Sequence, residues 1–175
     1  QLHVRVQAMK QLDILSLTEG DAWWKRNKDK LHQPDTDLVL NLIKRNEIVP
    51  ATVCEVGCAD GWRLNEIYKK HGSKCTGYDV SEEAILSGEC SFPEIDLKWG
   101  AAHDLHAAED NSSELLIYGF CLYLCDRELL FKIVCEGDRV LKDRGHLIIL
   151  DFITDHPHSV PYGPDPRLRT YKMDY

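Results

Sequence analysis

One stretch of the sequence, VCEVGCADG at residues 53–61, combines a carboxylate with a glycine-bearing turn. Glu55 stands two residues before Gly57, and Gly61 completes a GxxxG spacing that differs from the GxGxxG of dinucleotide-binding proteins. Glycines let a backbone approach a ligand closely, whereas a carboxylate opposes a pyrophosphate and favours a ligand that carries positive charge. The stretch therefore predicts a cofactor site, and its charge favours a cationic cofactor.

Further along the chain, a second acidic residue and several proton carriers could complete such a site. Asp79 lies 22 residues beyond Gly57, after the apolar run that precedes it, and a carboxylate there accepts hydrogen bonds from hydroxyl groups well. His156 and His158 are candidate proton acceptors, because the ordinary pKa of histidine lies near neutral pH. These residues are therefore candidates for hydrogen bonding to a ligand and for proton transfer.

The hydrophobic pattern indicates which elements position these side chains. Residues 1–46 read as an N-terminal layer of helices, whereas from residue 51 short aliphatic runs alternate with amphipathic segments. We expect strands at 51–56, 74–78, 95–98, 114–119 and 145–151. The pattern predicts an α/β fold with a doubly wound, mostly parallel sheet, and a single domain over 1–175 whose cofactor-binding core spans 50–152.

The last segment, residues 153–175, is rich in proline. Four prolines and Gly163 interrupt it, so we expect a loop or lid and not a series of strands. Because it begins where the last predicted strand ends, we expect it to shape the pocket of the acceptor. The chain begins at Gln1 without a methionine, which leads us to expect a piece of a longer protein.

Composition narrows the classes of partner. A formal charge of -8 argues against nonspecific nucleic-acid binding, and no run of apolar residues is long enough to span a membrane. Seven cysteines without a secretory leader favour the cytoplasm. Two CxxxC pairs invite a metal hypothesis, but they lie in apolar surroundings, so we expect buried thiols and no metal. A small molecule is the partner we expect, and the sequence leaves the oligomeric state open.

Five segments in order resemble the class I S-adenosylmethionine-dependent methyltransferases, a Rossmann-like family. VCEVGCADG resembles motif I, and TGYDVS resembles the second strand with its ribose-binding acid. WGAAHDL resembles the segment beside the adenine, ELLIYGFCLYLCDRELL the fourth strand and its loop, and VLKDRGHLIILDF the helix, turn and fifth strand. Together they cover about residues 50–152. The resemblance implies S-adenosyl-L-methionine as the cofactor, which carries an ammonium and a sulfonium group and no phosphate.

The resemblance also implies roles for individual residues. Asp79 would bind the ribose hydroxyls, and Tyr123, after the fourth strand, would border the transferred methyl group. One tryptophan of the pair Trp23 and Trp24 would close over the cofactor, and Trp24 is the one we assign to the site. The remaining residues that we expect to contact the cofactor are Glu55, Gly57, Cys58, Ala59, Gly61, Val80, Ala102, His103 and Phe120.

Three departures from the family pattern stand out. Ala59 replaces the central glycine of motif I, which is tolerable if its backbone φ is negative. Ala101 stands where relatives often carry an acid against the adenine amine, so the backbone of Ala102 or the side chain of Asp104 would take over that contact. The β-hairpin that ends the fold is not recognisable before Tyr175, so we expect it to be absent or to lie beyond the chain end.

The acceptor and two competing functions stay open. The tail YKMDY resembles methyltransferases of bacterial sugar and natural-product pathways, which implies a small hydroxylated acceptor methylated on oxygen, nitrogen or carbon. An NAD-type oxidoreductase is one alternative, since Asp79 would also suit the ribose of NAD. The other is a cofactor-binding subunit without catalysis. Binding of S-adenosylhomocysteine against NADH separates the first, and turnover of an acceptor separates the second.

Overall fold

The computed structural model describes residues 10–175. Part of the predicted N-terminal layer, residues 1–9, lies outside the described residues. Seven strands are formed by Thr52–Val56 (β1), Lys74–Asp79 (β2), Asp96–Trp99 (β3), Ser113–Gly119 (β4), Leu141–Leu150 (β5), His158–Pro161 (β6) and Arg169–Lys172 (β7).

The first five strands form one sheet in the order β3-β2-β1-β4-β5, and every neighbouring pair is parallel. The central strand β1 pairs with β2 on one side and β4 on the other, so the strand order reverses beside it. This arrangement confirms the predicted doubly wound, mostly parallel α/β fold. In such a sheet, the point of reversal at the carboxyl ends of the strands is where ligands bind.

The helices are Gln11–Ile14 (α1), Gly20–Asn27 (α2), Leu38–Arg45 (α3), Trp62–His71 (α4), Glu82–Ser91 (α5) and Leu130–Val140 (α6). A π-helical turn at Leu15–Glu19 joins α1 to α2, and a 3-10 turn at Lys28–Lys30 extends α2. Sequence signals set several helix ends. Ser81 caps α5 by accepting a hydrogen bond from the Ala84 N–H at 3.1 Å, and Gly72 ends α4 in the left-handed conformation.

Apolar side chains cover both faces of the sheet, as a doubly wound fold requires. One cluster joins the strands to α3 and α4 through residues such as Val39, Ile43, Leu64 and Ile67. The other joins the opposite face to α6 through Ile133 and Val140. Because helices pack on both faces of the sheet, a rigid core holds the loops at the strand ends in place.

Strand β5 differs from its prediction. The segment KDRG at 142–145 was expected to form a turn, but the strand runs unbroken from Leu141 to Leu150. The pairing with β4 shifts register between Ser113 and Leu115, and Arg144 takes a φ of 64°. The residues of the expected turn therefore belong to β5 and form an irregularity, such as a β-bulge, in its pairing with β4. Residues with a left-handed conformation are common at such positions.

The proline-rich tail was predicted to contain no strands, and this prediction is wrong. Strands β6 and β7 pair antiparallel in a separate two-stranded sheet, with His158 opposite Lys172 and Pro161 opposite Arg169. Proline is compatible with a two-stranded ribbon because a residue at an open edge needs no ladder N–H. Within residues 10–175, none of the helices combines the length and apolarity needed to cross a membrane.

Candidate cofactor site and adjoining cleft

A cavity opens at the carboxyl ends of β1, β2 and β4, where the strand order reverses. The loops after these strands, the segment after β3, and the N-terminal helices together form its wall. Its lining residues are Leu12, Leu15, Gly20, Trp23, Val56, Gly57, Asp79, Val80, Gly100, Ala101, Ala102, His103, Gly119, Phe120, Cys121, Tyr123, Leu124, Cys125, Asp126, Leu129 and Ile133.

The turn after β1 requires glycine at its first position. Gly57 has a φ of +76°, and a Cβ built there would lie 2.8 Å from the Cβ of Cys121 in the loop after β4. The Gly57 and Cys58 N–H groups donate to the carbonyl of Tyr78, at 2.8 and 3.1 Å, which fastens the turn to β2. A larger residue would push the two loops apart, so the close approach that shapes the cavity depends on this glycine.

Asp79 lies at the end of β2 and lines the cavity. Its Oδ2 accepts a hydrogen bond from the Ala59 N–H at 2.8 Å, and its Oδ1 accepts one from the Ser81 N–H at 2.9 Å. Burial raises the pKa of this carboxyl group, against the opposing effect of these backbone donors. Each oxygen keeps a second lone pair, so the fixed carboxylate can still accept hydrogen bonds from ligand hydroxyls.

The remaining residues of the turn support the cavity from behind. Cys58, Ala59 and Gly61 were expected at the cofactor, but none of them lines the cavity. Ala59 was expected to have a negative φ, and this is wrong, because its φ is 52°. The hydrogen bond from its N–H to Asp79 holds this left-handed conformation, which costs an alanine about 1–2 kcal/mol.

Glu55 was expected at the edge of the pocket, and the structure contradicts this. The side chain is fully buried, does not line the cavity, and pairs with Arg63 of α4. Arg63 also donates to both oxygens of Asp37, with its Nη2 at 2.8 Å from Oδ2. Burial raises the pKa of Glu55, while Arg63 opposes the shift. The carboxylate therefore belongs to a buried ion cluster that joins β1 to the starts of α3 and α4.

The segment after β3 supplies a narrow apolar wall. Ala101, Ala102 and His103 line the cavity, whereas Asp104 is exposed and lies outside it. Desolvation by burial lowers the pKa of His103, which favours its neutral form. The Ala102 backbone and the Asp104 side chain were the two groups expected to replace the acid that relatives carry at the position of Ala101. Ala102 lies at the cavity, whereas the Asp104 side chain does not.

Aromatic residues close the side of the cavity beyond β4. Phe120 lines it with a φ of 61°, and its ring lies 5.2 Å from the ring of Tyr123 and 4.9 Å from that of Phe152. The rings of Tyr123 and Phe152 meet edge to face at 5.2 Å. Burial raises the pKa of Tyr123, so its phenol stays protonated at neutral pH and can donate a hydrogen bond.

The N-terminal helices cover the cavity, but with a different tryptophan from the one expected. Trp23 lines the cavity, whereas Trp24 is buried away from it against Ala59 and Ala84. Successive residues on a helix point about 100° apart, so only one of the pair can face the ligand. The assignment of Trp24 to the lining is therefore corrected to Trp23.

One glutamine ties this cover to the rest of the molecule. The side-chain Nε2 of Gln11 donates to the carbonyl of Leu124 at 2.8 Å, and its Oε1 accepts from the N–H of Arg169 at 2.6 Å. The carboxylate of Asp126 accepts hydrogen bonds from the N–H groups of Gln11 and Leu12 at 3.2 and 3.1 Å. Helix α1 is thus fastened to the loop after β4 and to the terminal hairpin.

The charge of the cavity limits the ligands that it can bind. Its described lining includes two carboxylates, Asp79 and Asp126, and no lysine or arginine. A ligand with phosphate groups would find no cation there, whereas one with positive charge and hydroxyl groups would be stabilised. The residues present therefore fit S-adenosyl-L-methionine, whose net charge is positive.

A second cleft adjoins the first and shares Trp23 and Tyr123 with it. One wall comes from α2 and its extension, and the other from β6, β7 and the residues between them. Its lining residues are Trp23, Arg26, Asn27, Lys30, Tyr123, Phe152, Val160, Pro161, Tyr162, Gly163, Pro164, Thr170 and Lys172. The sequence hypothesis did not assign Lys30, Tyr162 or Lys172 to a site.

The two histidines proposed as proton acceptors line neither cleft. His156 and His158 are exposed, and the Nδ1 of His158 lies 2.9 Å from the backbone carbonyl of His156. They lie at the start of the hairpin, since β6 begins at His158 and runs to Pro161. The tail does contribute to a cleft, but through Val160–Pro164, Thr170 and Lys172.

Comparison with known proteins identifies the family. A family described as "Methyltransferase domain" matches residues 54–149, which is more than half of the chain. No curated protein sequence matches. Among solved structures, the PH0226 protein of Pyrococcus horikoshii OT3 has a TM-score of 0.58 and 22% identity, over 66% of this chain and 55% of that one.

Two other solved structures give similar values. A TehB-like SAM-dependent methyltransferase from Corynebacterium glutamicum has a TM-score of 0.61 and 17% identity, over 84% of this chain and 76% of that one. The methyltransferase-like partner of the Haloferax volcanii Trm112 methyltransferase activator has a TM-score of 0.62 and 21% identity, over 82% and 59%. This chain therefore spans little more than half the length of two of these proteins, and the likeness concerns the fold.

The chain belongs to the methyltransferase domain family, and its fold is the Rossmann-like fold that the sequence resemblance implied. The family and the neighbours described as SAM-dependent indicate S-adenosyl-L-methionine as the cofactor. This agrees with the charge and lining of the first cavity, which we call the cofactor cavity. The adjoining space between α2 and the hairpin is called the second cleft.

Proposed function

We propose that this protein transfers a methyl group from S-adenosyl-L-methionine to a small-molecule acceptor. The observation that carries the proposal is the cofactor cavity at the sheet's reversal point, with Asp79 and Asp126 in its wall and no cation among its described lining residues. When bound, the cofactor supplies an activated methyl group, whose carbon–sulfur bond breaks as the bond to the acceptor forms, leaving the electron pair on sulfur.

The chain's own residues bind, orient and enclose. We assign Asp79 to the ribose hydroxyls, and Ala102 and His103 to the wall beside the adenine. Leu12, Leu15 and Trp23 cover the cavity from the side of the N-terminal helices, where they would exclude water. Holding donor and acceptor in a reactive geometry supplies a large part of the rate enhancement in such a transfer.

We further propose that the acceptor enters through the second cleft. Trp23 and Tyr123 belong to both linings, so a ligand in each space would meet at these two side chains. A sugar or natural-product intermediate matches the chemistry of this cleft, which joins aromatic walls to polar side chains. The protonated phenol of Tyr123 would orient an acceptor heteroatom. The seven free thiols of the described chain support a reducing compartment such as the cytoplasm.

The alternative of an NAD-type oxidoreductase is disfavoured by the start of α4. In dinucleotide-binding proteins this helix N-terminus receives the pyrophosphate. Here the buried carboxylate of Asp60 occupies it, with Oδ1 accepting from the Trp62 N–H at 3.3 Å and Oδ2 lying 2.7 Å from the Nε2 of His32. A pyrophosphate would be repelled by this charge. A cofactor-binding subunit without catalysis is the remaining alternative.

Calorimetry tests the cofactor. We expect S-adenosylmethionine and S-adenosylhomocysteine to bind with micromolar dissociation constants, about -8 kcal/mol, and NADH to give no heat of binding. A folded sample that binds neither sulfur compound refutes the proposal, and tight NADH binding favours the oxidoreductase. Transfer of labelled methyl groups from S-adenosylmethionine into a low-molecular-weight cell extract then separates an enzyme from a non-catalytic subunit.

A further inference from the structure

The two adjoining spaces carry opposite charge. The cofactor cavity is lined by two carboxylates and no lysine or arginine, whereas the second cleft is lined by Arg26, Lys30 and Lys172 and by no aspartate or glutamate. The chain as a whole has a formal charge of -8, so the lining of the second cleft has the opposite sign of charge to the whole chain. Like charges placed together cost free energy, which makes such a grouping informative about a ligand of opposite sign.

Arg26 is held in a fixed position within this group. Its Nη2 pairs with Glu19, which is buried behind the cleft, and also lies 3.2 Å from the hydroxyl of Tyr162. Both contacts use the same nitrogen, so among the described residues Nε and Nη1 have no hydrogen-bond partner. The pair is close to neutral, and Arg26 therefore contributes directed N–H donors more than net charge.

Lys30 and Lys172 contribute the net positive charge. Neither forms an ion pair or a side-chain hydrogen bond with another of residues 10–175, so both ammonium groups are available to a ligand. The Nζ of Lys172 lies 4.4 Å from the ring centroid of Phe152, which also lines the cleft. This cation–π contact places the ammonium group above the aromatic wall that leads through Tyr123 to the cofactor cavity.

We propose that the second cleft selects an acceptor with an anionic group, a carboxylate or a phosphate, bound by Lys30 and Lys172 with the help of Arg26. This inference rests on the proposed function and names the substrate class of its acceptor site. The anionic group binds between α2 and the hairpin, and the atom to be methylated points toward Trp23 and Tyr123. A neutral sugar lacks the group for which the cleft is built.

The test compares anionic and neutral forms of one sugar. The ¹⁵N-labelled protein, saturated with S-adenosylhomocysteine, is titrated with glucuronate, glucose 6-phosphate and glucose, and amide shifts are followed at Gly163 and Thr170. We expect saturable shifts with at least one anion and none with glucose at equal concentration. The two anions distinguish a carboxylate preference from a phosphate preference, and either result supports the proposal.

Variants then locate the binding site. The double variant Lys30→Gln with Lys172→Gln is expected to raise the dissociation constant of the anion by about tenfold or more, because two charge-assisted contacts are lost. Lys28→Gln is the matched control, since Lys28 lies in the same 3-10 turn, is exposed and does not line the cleft. It should leave the dissociation constant unchanged.

Three results would overturn the inference: glucose shifting the same amides as strongly as the anions, no saturable anion shift at these amides, or unaltered anion binding in the double variant. Calorimetry of S-adenosylhomocysteine on the same samples keeps the two proposals apart. If the wild-type protein does not bind S-adenosylhomocysteine, the proposed function is contradicted. If it binds S-adenosylhomocysteine but neither anion, only the proposed class of acceptor is contradicted.

Discussion

Replacing Asp79 by alanine tests the cofactor site most directly. The carboxylate has a dual task, because it lines the cavity and also accepts the N–H groups of Ala59 and Ser81 at 2.8 and 2.9 Å. Under the proposed ribose contact, loss of this carboxylate is expected to weaken binding of S-adenosylhomocysteine by about 1–3 kcal/mol, or roughly 5- to 150-fold in the dissociation constant. The variant should be measured by titration calorimetry.

The same substitution should also lower stability. Two backbone N–H groups lose their acceptor, and Ala59 keeps a left-handed φ of 52° without the hydrogen bond that holds it. Water from the cavity can replace part of the loss, so we expect about 1–2 kcal/mol in urea unfolding, less than two dry unpaired groups would cost. Asp104→Ala is the matched control, because it removes an equal charge from an exposed side chain outside the cavity.

The pH dependence of binding provides an independent check. Burial raises the pKa of Asp79, so its proton is taken up at a higher pH than the ordinary 3.8. The ionised form accepts hydroxyl hydrogen bonds, and binding should therefore weaken as the pH falls through this raised pKa and be complete above it. Asp79→Ala should lack this dependence. An unchanged dissociation constant in Asp79→Ala, or an equal loss in Asp104→Ala, would place the ribose elsewhere.

Three further predictions concern the scaffold and the tail. Arg63→Met leaves two buried carboxylates without their cation and should cost about 3–5 kcal/mol in urea unfolding at pH 7, with a smaller loss at low pH, because burial raises the pKa of Glu55 and this group is then protonated; equal losses at both pH values would contradict this. Gly88→Ala places a Cβ 2.3 Å from the Asp60 carbonyl and should cost about 1–3 kcal/mol, whereas Gly163→Ala, with open space around it, should be nearly neutral by thermal unfolding. His156→Asn and His158→Asn should each keep full turnover, because both side chains lie outside the clefts; a 100-fold loss with intact cofactor binding would restore the hypothesis of a base there.

The elements of the fold were predictable because their signals are local. Ser81, after β2, is of a residue type that commonly caps helix N-termini, and it caps α5. Gly72 ends α4 in the left-handed conformation that glycine favours. Alternation of short apolar runs with amphipathic segments is enough to indicate a parallel sheet. The hairpin of the tail escaped prediction because its strands are only four residues long, and because the first of them contains Pro161 and directly follows Pro157.

The orientation of charged side chains was not predictable from their position in a motif. Glu55 stands in the motif where a ligand contact is expected, but Arg63, the second residue of the next helix, pairs with it instead. Asp37, which caps the helix before β1, completes the cluster. The cluster depends on three segments that meet only after folding. A motif therefore gives the location of a carboxylate along the chain, and tertiary partners decide what it contacts.

The wall of the second cleft, where we propose that the acceptor binds, follows the period of a helix. Trp23, Arg26, Asn27 and Lys30 follow the spacing i, i+3, i+4, i+7, which places four side chains on one helix face. Trp24 is turned toward the core, where it packs on Ala59 and Ala84, so the face beside it is left to the cleft. An aromatic residue next to the cofactor cavity is followed along the same face by cations. In the proposed complex, this order would hold the reacting atom of the acceptor near the methyl group and its anionic group farther out.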